Sequence, residues 1–348
     1  MKIYFAGVPG GGQPGQCKRE RELTKFWDKR LWSYYYMMQE DCQMGENKVS
    51  LFLDSGAYSA WSQGVEINIQ DYIKFIKKHK DVIEVYANLD VIGSAEKTWQ
   101  NQLIMEEAGL KPLPVFHTTL EKDEWLIKYL KRGYDYIALG GTVGGSISTL
   151  EIRLRLDQLF QKYICDSSGM PKVKVHGFGL TAHQLLLRYP WYSVDSTSWA
   201  LIGAMGGVFV PRFRQGKYTY DKNCWKISVS NKSPDTKEAG QHIETLPPMQ
   251  KQVILNYIHS KGYKLGKSEF KKVSQTHKLR QGEKWADNKP KAKDKTSKRL
   301  LEIIHERGLC NDYKLRDELN IIYFLDLEKS LPEWPWPFKI KVRKGFSL

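Results

Sequence analysis

Up to about residue 210 the chain repeats one pattern: a short β-branched, aromatic or aliphatic run, a turn carrying Gly, Asp or Asn, then a stretch of helical periodicity. The candidate strands are 2–6, 50–53, 83–89, 113–117, 136–139, 172–176, 192–194 and 208–210. Among the intervening segments, 70–79 puts Tyr72, Ile73 and Ile76 on one helical face, and 120–131 carries Leu120, Trp125, Ile127 and Leu130 at apolar positions. Strands alternating with helices call for a parallel sheet covered by helices. A doubly wound sheet and a closed barrel both satisfy that rule. Polar and small residues separate the two, because they fall just after several strands, at Asp54, Asp90, His117, Gly140, Gly177 and Asp195. A TIM barrel assembles its site from many strand ends, whereas an open sheet concentrates it at one switch point. The expected fold is α/β, a TIM-like (β/α)8 barrel over residues 1–210, with a basic C-terminal extension over 211–348.

Beyond residue 210 the periodicity changes. Residues 213–230 read as extended segments, 247–261 as a helix and 300–307 as helical again. The lysine-rich stretch 282–299, nearly free of apolar residues, reads as a flexible loop or linker. The 348 residues carry a formal net charge of +15, and residues 251–348 alone hold 23 Lys/Arg against 12 Asp/Glu. That asymmetry points to a polyanionic partner for the C-terminal region. Solvated lysines on a surface helix are the plain alternative.

The five cysteines show neither C-x-C nor C-x-x-C spacing, no H-E-x-x-H occurs, and the one H-x-E, His242-Ile243-Glu244, has no P-C-x-x-C to accompany it. No metal and no cofactor are therefore expected. No run reaches the roughly 20 apolar residues of a membrane span, and the opening apolar run is too short for a secretory signal. The expected location is cytoplasmic, without a membrane partner.

Five segments can carry chemistry. LFLDSGAYSAW (51–61) runs a buried strand into Asp54, Ser55 and Gly56, small residues that let a ligand approach a carboxylate. YANLDVIG (86–93) sets Asn88 and Asp90 at another strand end, and YIALGGTVGG (136–145) offers the backbone N–H groups of Gly140 and Gly141 to a phosphate or a base edge. VKVHGFGLT (173–181) holds His176, Gly177, Phe178 and Gly179, and YSVDSTSW (192–199) places Asp195 among hydroxyls. Each taken singly is equally a turn or a helix cap. Two strand-end aspartates together are what a double-displacement glycosyl transfer requires: one attacks the anomeric carbon, the other moves protons on the bases.

In this order the motifs resemble the queuine/archaeosine tRNA-guanine transglycosylase family, over roughly residues 50–200. The resemblance implies Asp195 as the nucleophile that forms a glycosyl-enzyme and Asp54 as the proton acceptor and donor. It implies Asp90, with Ser55, Gly56 and Asn88 beside it, as holder of the base's N–H groups, and Gly140 and Gly141 as binders of its carbonyl edge. Tyr58 and His176 would sandwich the purine next to Gly177, and His117 stands near where the family has a base-reading glutamine. The family's C-x-C-x-x-C zinc site and the Pro-Thr-Arg after its nucleophile have no counterpart in this sequence. A virus-borne branch that modifies DNA is the nearer likeness, so DNA is favoured over tRNA as the polymer, with a free 7-deazaguanine as second substrate. A homodimer is compatible with the family. Two other classes fit the same fold: a non-catalytic nucleic-acid-binding subunit, and a barrel enzyme cradling a small phosphorylated substrate at the Gly-Gly turn.

Overall fold

The computed structural model describes residues 1–7, 16–37, 49–141, 148–180, 182–221, 223–232, 240–286 and 298–338. They form two compact units, Met1–Thr197 with Leu325–Leu348, and Ser198–Phe324.

The first unit is a TIM-like α/β barrel. Its strands are β1 (Lys2–Phe5), β2 (Lys29–Ser33), β3 (Ser50–Asp54), β4 (Ile83–Tyr86), β5 (Val115–His117), β6 (Tyr136–Gly140), β7 (Lys174–Gly177) and β8 (Ser193–Ser196). All pairings are parallel, in the order β4-β3-β2-β1-β8-β7-β6-β5. The two ends of this row meet through one parallel bridge, Ala87 with Leu113. Helices return the chain between strands, among them α1 (Gln16–Leu23), α4 (Ile69–Lys78), α5 (Ala95–Glu107), α6 (Asp123–Arg132), α7 (Thr149–Leu159) and α8 (His183–Arg188). Two shorter helices, α2 (Tyr34–Met37) and α3 (Ala57–Ser62), follow β2 and β3.

The strand count agrees with the sequence pattern, but one member differs. β2 carries Lys29 and Arg30, which masked it as a strand. Arg30 is buried on the helix-facing side, where Nε meets Glu20 of α1 at 2.9 Å and the guanidinium also caps the carbonyl of Phe5. A paired, fully hydrogen-bonded charge can occupy a core position that an isolated one cannot. Residues 208–210, read as the eighth strand, belong to the second unit. The final segment also departs from a C-terminal extension, since Trp334 donates to the carbonyl of Pro190 at 3.1 Å and Phe338 donates to that of Gly169 at 2.8 Å. Phe338 packs on Tyr189 and Phe160, so the proline- and tryptophan-rich tail is part of the barrel unit.

In the second unit β9 (Gly207–Val210) pairs antiparallel with β12 (Trp225–Ser228), and β10 (Arg212–Arg214) forms a hairpin with β11 (Lys217–Thr219). The hairpin turn is Gln215-Gly216, both at positive φ, the backbone that matches the twist of a two-residue hairpin. Helix α9 (Ser198–Ala204) and α10 (Pro248–Ser260) accompany a three-stranded antiparallel sheet, β13 (Lys267–Ser274), β14 (Glu283–Trp285) and β15 (Lys298–Glu306), in the order β13-β15-β14. Residues 300–307 are thus strand, not helix. The part of 282–299 that is described is sheet as well, and 287–297 lie outside the described residues. The last helix, α11 (Tyr313–Ser330), runs from this unit into the first. Among the described residues no helix is long and apolar enough to cross a membrane.

Candidate active site

Alternation along a strand decides which candidate side chains face the barrel interior. Tyr4, Leu31, Phe52, Ala87, Val115 and Ala138 share one internal cluster. Two residues further along their strands, Asp54, His117 and Gly140 fall on the same face at the C-terminal mouth. Asp195 keeps step with Ser193, whose hydroxyl lies 2.5 Å from that of Tyr136 in the interior. Asn88 is out of step: it is fully buried, and its amide reaches the carbonyl of Thr98 in α5 at 3.4 Å. It holds a helix and does not line the mouth. Gly177 is out of step too, and a Cβ there would lie 2.1 Å from Leu180, so this glycine serves packing.

Asp195 is held from one side. Its Oδ1 accepts from the backbone N–H of Gly179 at 2.7 Å and from His176 Nε2 at 3.3 Å, while Oδ2 has no partner among the described residues. His176 Nδ1 lies 2.6 Å from Ser193 Oγ. With Tyr136 donating to Ser193 and Ser193 to Nδ1, the proton of a neutral His176 sits on Nε2, facing the carboxylate; the tautomer follows from the network. Burial pushes the His176 pKa down despite Asp195, which keeps the ring neutral. The ring is fully buried, against Phe52 at 4.5 Å and Phe178 at 4.6 Å. It therefore positions Asp195 from below, and the expected pairing of Tyr58 with His176 around a purine is corrected on the His176 side.

The opposite side of the mouth has a second carboxylate–imidazole pair. Asp90 Oδ1 accepts from Ser55 Oγ at 2.7 Å, and its Oδ2 lies 2.9 Å from His117 Nε2. His117 Nδ1 lies 2.8 Å from Glu121 Oε1. Burial alone would discharge this imidazole, but hydrogen bonds and charge from two carboxylates raise its pKa to about 10. His117 is thus an imidazolium with both N–H groups committed, one to Asp90 and one to Glu121. Gly140 gives that ring room, since a Cβ would come 3.2 Å from His117 Cδ2. Gly141 adopts φ +71°, and residues 142–147 of the di-glycine motif's continuation lie outside the described residues.

Asp54 lies in the same field. Burial, then the charges of Asp90 and Asp195, raise its pKa to about 7, against the pull of the backbone N–H of Gly56 at 3.0 Å. Gly56 has φ +76°, and a Cβ there would come 2.5 Å from Tyr35, so only glycine closes this turn. Tyr58 follows on α3 with its ring 56% exposed, beside Trp61 at 5.9 Å between centroids.

Sequence reasoning missed Glu121, Ser193 and Tyr136. Ser193 was recoverable, because it stands two residues before Asp195 on one strand. Glu121 stands four residues after His117, a spacing that brings the two together where the chain turns after β5, but its residue type alone did not mark it as a partner. Among the described residues, no group of three or more His, Cys, Asp or Glu is arranged to hold a metal ion. Compared with known proteins, the chain matches no family model and no curated protein.

Proposed function

We propose that the mouth exchanges a base at a glycosidic bond of a polynucleotide, replacing guanine by a 7-deazaguanine through a covalent aspartyl intermediate. The observation that carries this reading is the division of labour between two carboxylates. Asp195 has one oxygen fixed by His176 and Gly179 and the other free to attack, while Asp54 is held at a pKa of about 7, where it can both give and take a proton.

In the first displacement Asp195 Oδ2 bonds to C1′ as the C1′–N9 bond breaks, and the departing guanine takes its proton from Asp54. The incoming 7-deazaguanine then yields its N9 proton to the Asp54 carboxylate and attacks C1′, expelling Asp195. Two inversions give net retention, and no nucleotide is consumed. Asp90, paired with His117, is the acceptor for the base's ring N–H and amino group, a suitable partner for a guanine turned out of its strand. DNA is the favoured polymer and tRNA the alternative within the same chemistry. The basic composition of residues 251–348 supports a polyanionic substrate.

The test is release of labelled guanine from single-stranded DNA and from tRNA in the presence of a panel of unlabelled 7-deazaguanines. Release from DNA that is lost in Asp195→Asn supports the reading. Release that survives in Asp195→Ala, or release from neither polymer, rejects it.

A further inference from the structure

We propose that the cavity of about 600 Å3 next to the mouth is a second nucleobase site, which seats the base adjacent to the excised guanine in a single strand. This rests on the base-exchange reading, and its test separates the two.

The cavity lies between the segments that follow β3 and β4, and its volume is that of a small-molecule site. It adjoins the mouth, with which it shares Asp90. A polymer substrate whose target base sits against Asp90 must put its neighbour within one nucleotide of that point. The walls suit a flat, uncharged ring: Leu89, Val91 and Ile67 are apolar, and Trp61 stands at the rim 60% exposed. Its recorded ring contact is with Tyr58, itself 56% exposed, so two aromatic faces lie open side by side. Exposed aromatic rings beside a nucleic-acid channel are the usual means of holding a base without reading its sequence.

Two amides supply an edge. Asn68 spends its Oδ1 capping α4, accepting from the N–H of Gln70 at 2.8 Å and of Asp71 at 3.3 Å, which leaves its Nδ2 as a donor. Asn101 spends its Nδ2 on the carbonyl of Leu89 at 2.8 Å, which leaves its Oδ1 as an acceptor. A donor and an acceptor in one lining match the mixed edge of a base. Among the described lining residues the charged ones are Glu66 and Asp90, with no Lys or Arg, so the cavity repels a phosphate and accepts a ring bearing N–H groups.

The experiment uses full-length protein carrying Asp195→Asn, so that binding is read without turnover, and a fluorescein-labelled single-stranded DNA pentamer with a central guanine. It is compared with pentamers that carry an abasic residue on the 5′ or the 3′ side of that guanine. We expect an abasic residue on one side alone to weaken binding about tenfold. Adding Trp61→Ala should erase that difference, and Trp61→Phe should restore most of it. Trp61 is exposed, and circular dichroism checks the fold of each variant. Equal binding of all three pentamers, or an abasic penalty that persists in Trp61→Ala, overturns the proposal. Guanine release by the unmodified protein from the same pentamers is scored separately. Release without abasic sensitivity rejects the second base site alone, whereas neither binding nor release rejects both readings.

Discussion

The two sides of the barrel mouth use the same pair of residue types to opposite effect. On the β7–β8 side His176 meets one carboxylate, Asp195, and burial holds it neutral. On the β4–β5 side His117 meets two, Asp90 and Glu121, and they hold it charged at a pKa of about 10. Both rings are buried, so the count of carboxylates, not solvent access, sets the charge. The consequence falls on the aspartates. Asp195 has one oxygen without a partner among the described residues, which suits attack, whereas both oxygens of Asp90 are engaged by Ser55 and His117, which suits holding a base.

The sharpest break of this comparison is at the aspartates themselves. Asp195→Asn should lower single-turnover guanine release by roughly 10^4-fold or more, while Asp90→Asn should act mainly on the apparent affinity for the free base. Similar profiles for the two variants would show that the sides do not differ in role.

Next come the partners that set the histidines' charge. Glu121→Gln takes one carboxylate from a buried imidazolium and should cost about 3–5 kcal/mol in urea unfolding at pH 7. Ser193→Ala, which strands a neutral ring nitrogen, should cost only about 1–3 kcal/mol. The sign with pH follows from the raised His117 pKa. Its contribution is complete below pH 6.5 and fades as pH rises through about 10, so the Glu121→Gln deficit should shrink at alkaline pH. A deficit that grows with pH would contradict the charged state.

Asp54 lies between the two sides and feels both. In the proposed exchange, guanine departure needs its protonated form, so kcat/KM for the polynucleotide should fall about tenfold per unit above pH 7. The same raised pKa means that the folded state loses stability as pH climbs from 3.8 towards 7, because the unfolded chain releases this proton first. Asp54→Asn should therefore abolish the pH-rate break and stabilise the protein at pH 8 by roughly 1–2 kcal/mol. No gain in denaturant midpoint would count against the buried, charge-crowded setting of this carboxyl. The smallest effect belongs to Gly140→Ala, whose Cβ would press on His117 at 3.2 Å. A shift of under about 1 kcal/mol in stability, with a weaker apparent affinity for the base, is expected from a neighbour that must give by a few tenths of an ångström.

Much of the barrel was legible because its signal is local. Seven of the eight strands carry short apolar runs, and Asp54, Asp90, His117 and Asp195 could be named from their place at or just after the ends of four of them. The exception, β2, hid behind Lys29 and Arg30, whose burial depends on Glu20 ten residues earlier. Residues 208–210 imitate a barrel strand in composition, and only their antiparallel pairing with β12 removes them from it. In 300–307, adjacent apolar pairs fit either period, and pairing with β13 and β14 decided for the strand.

What the sequence determined by itself was the alternation of strand and helix and the residues that arrive at the strand ends, since both depend on neighbours within a few positions. What only the tertiary structure decided was what those residues became. Parity around the barrel turned Asn88 and Gly177 away from the mouth, burial beneath Asp195 converted His176 from a wall into a support, and the arrival of Asp90 from the segment after β4 gave His117 its second carboxylate beside the nearby Glu121. Charge and orientation are set by groups from other strands and turns within a few ångströms, and no local pattern encodes which of them will meet.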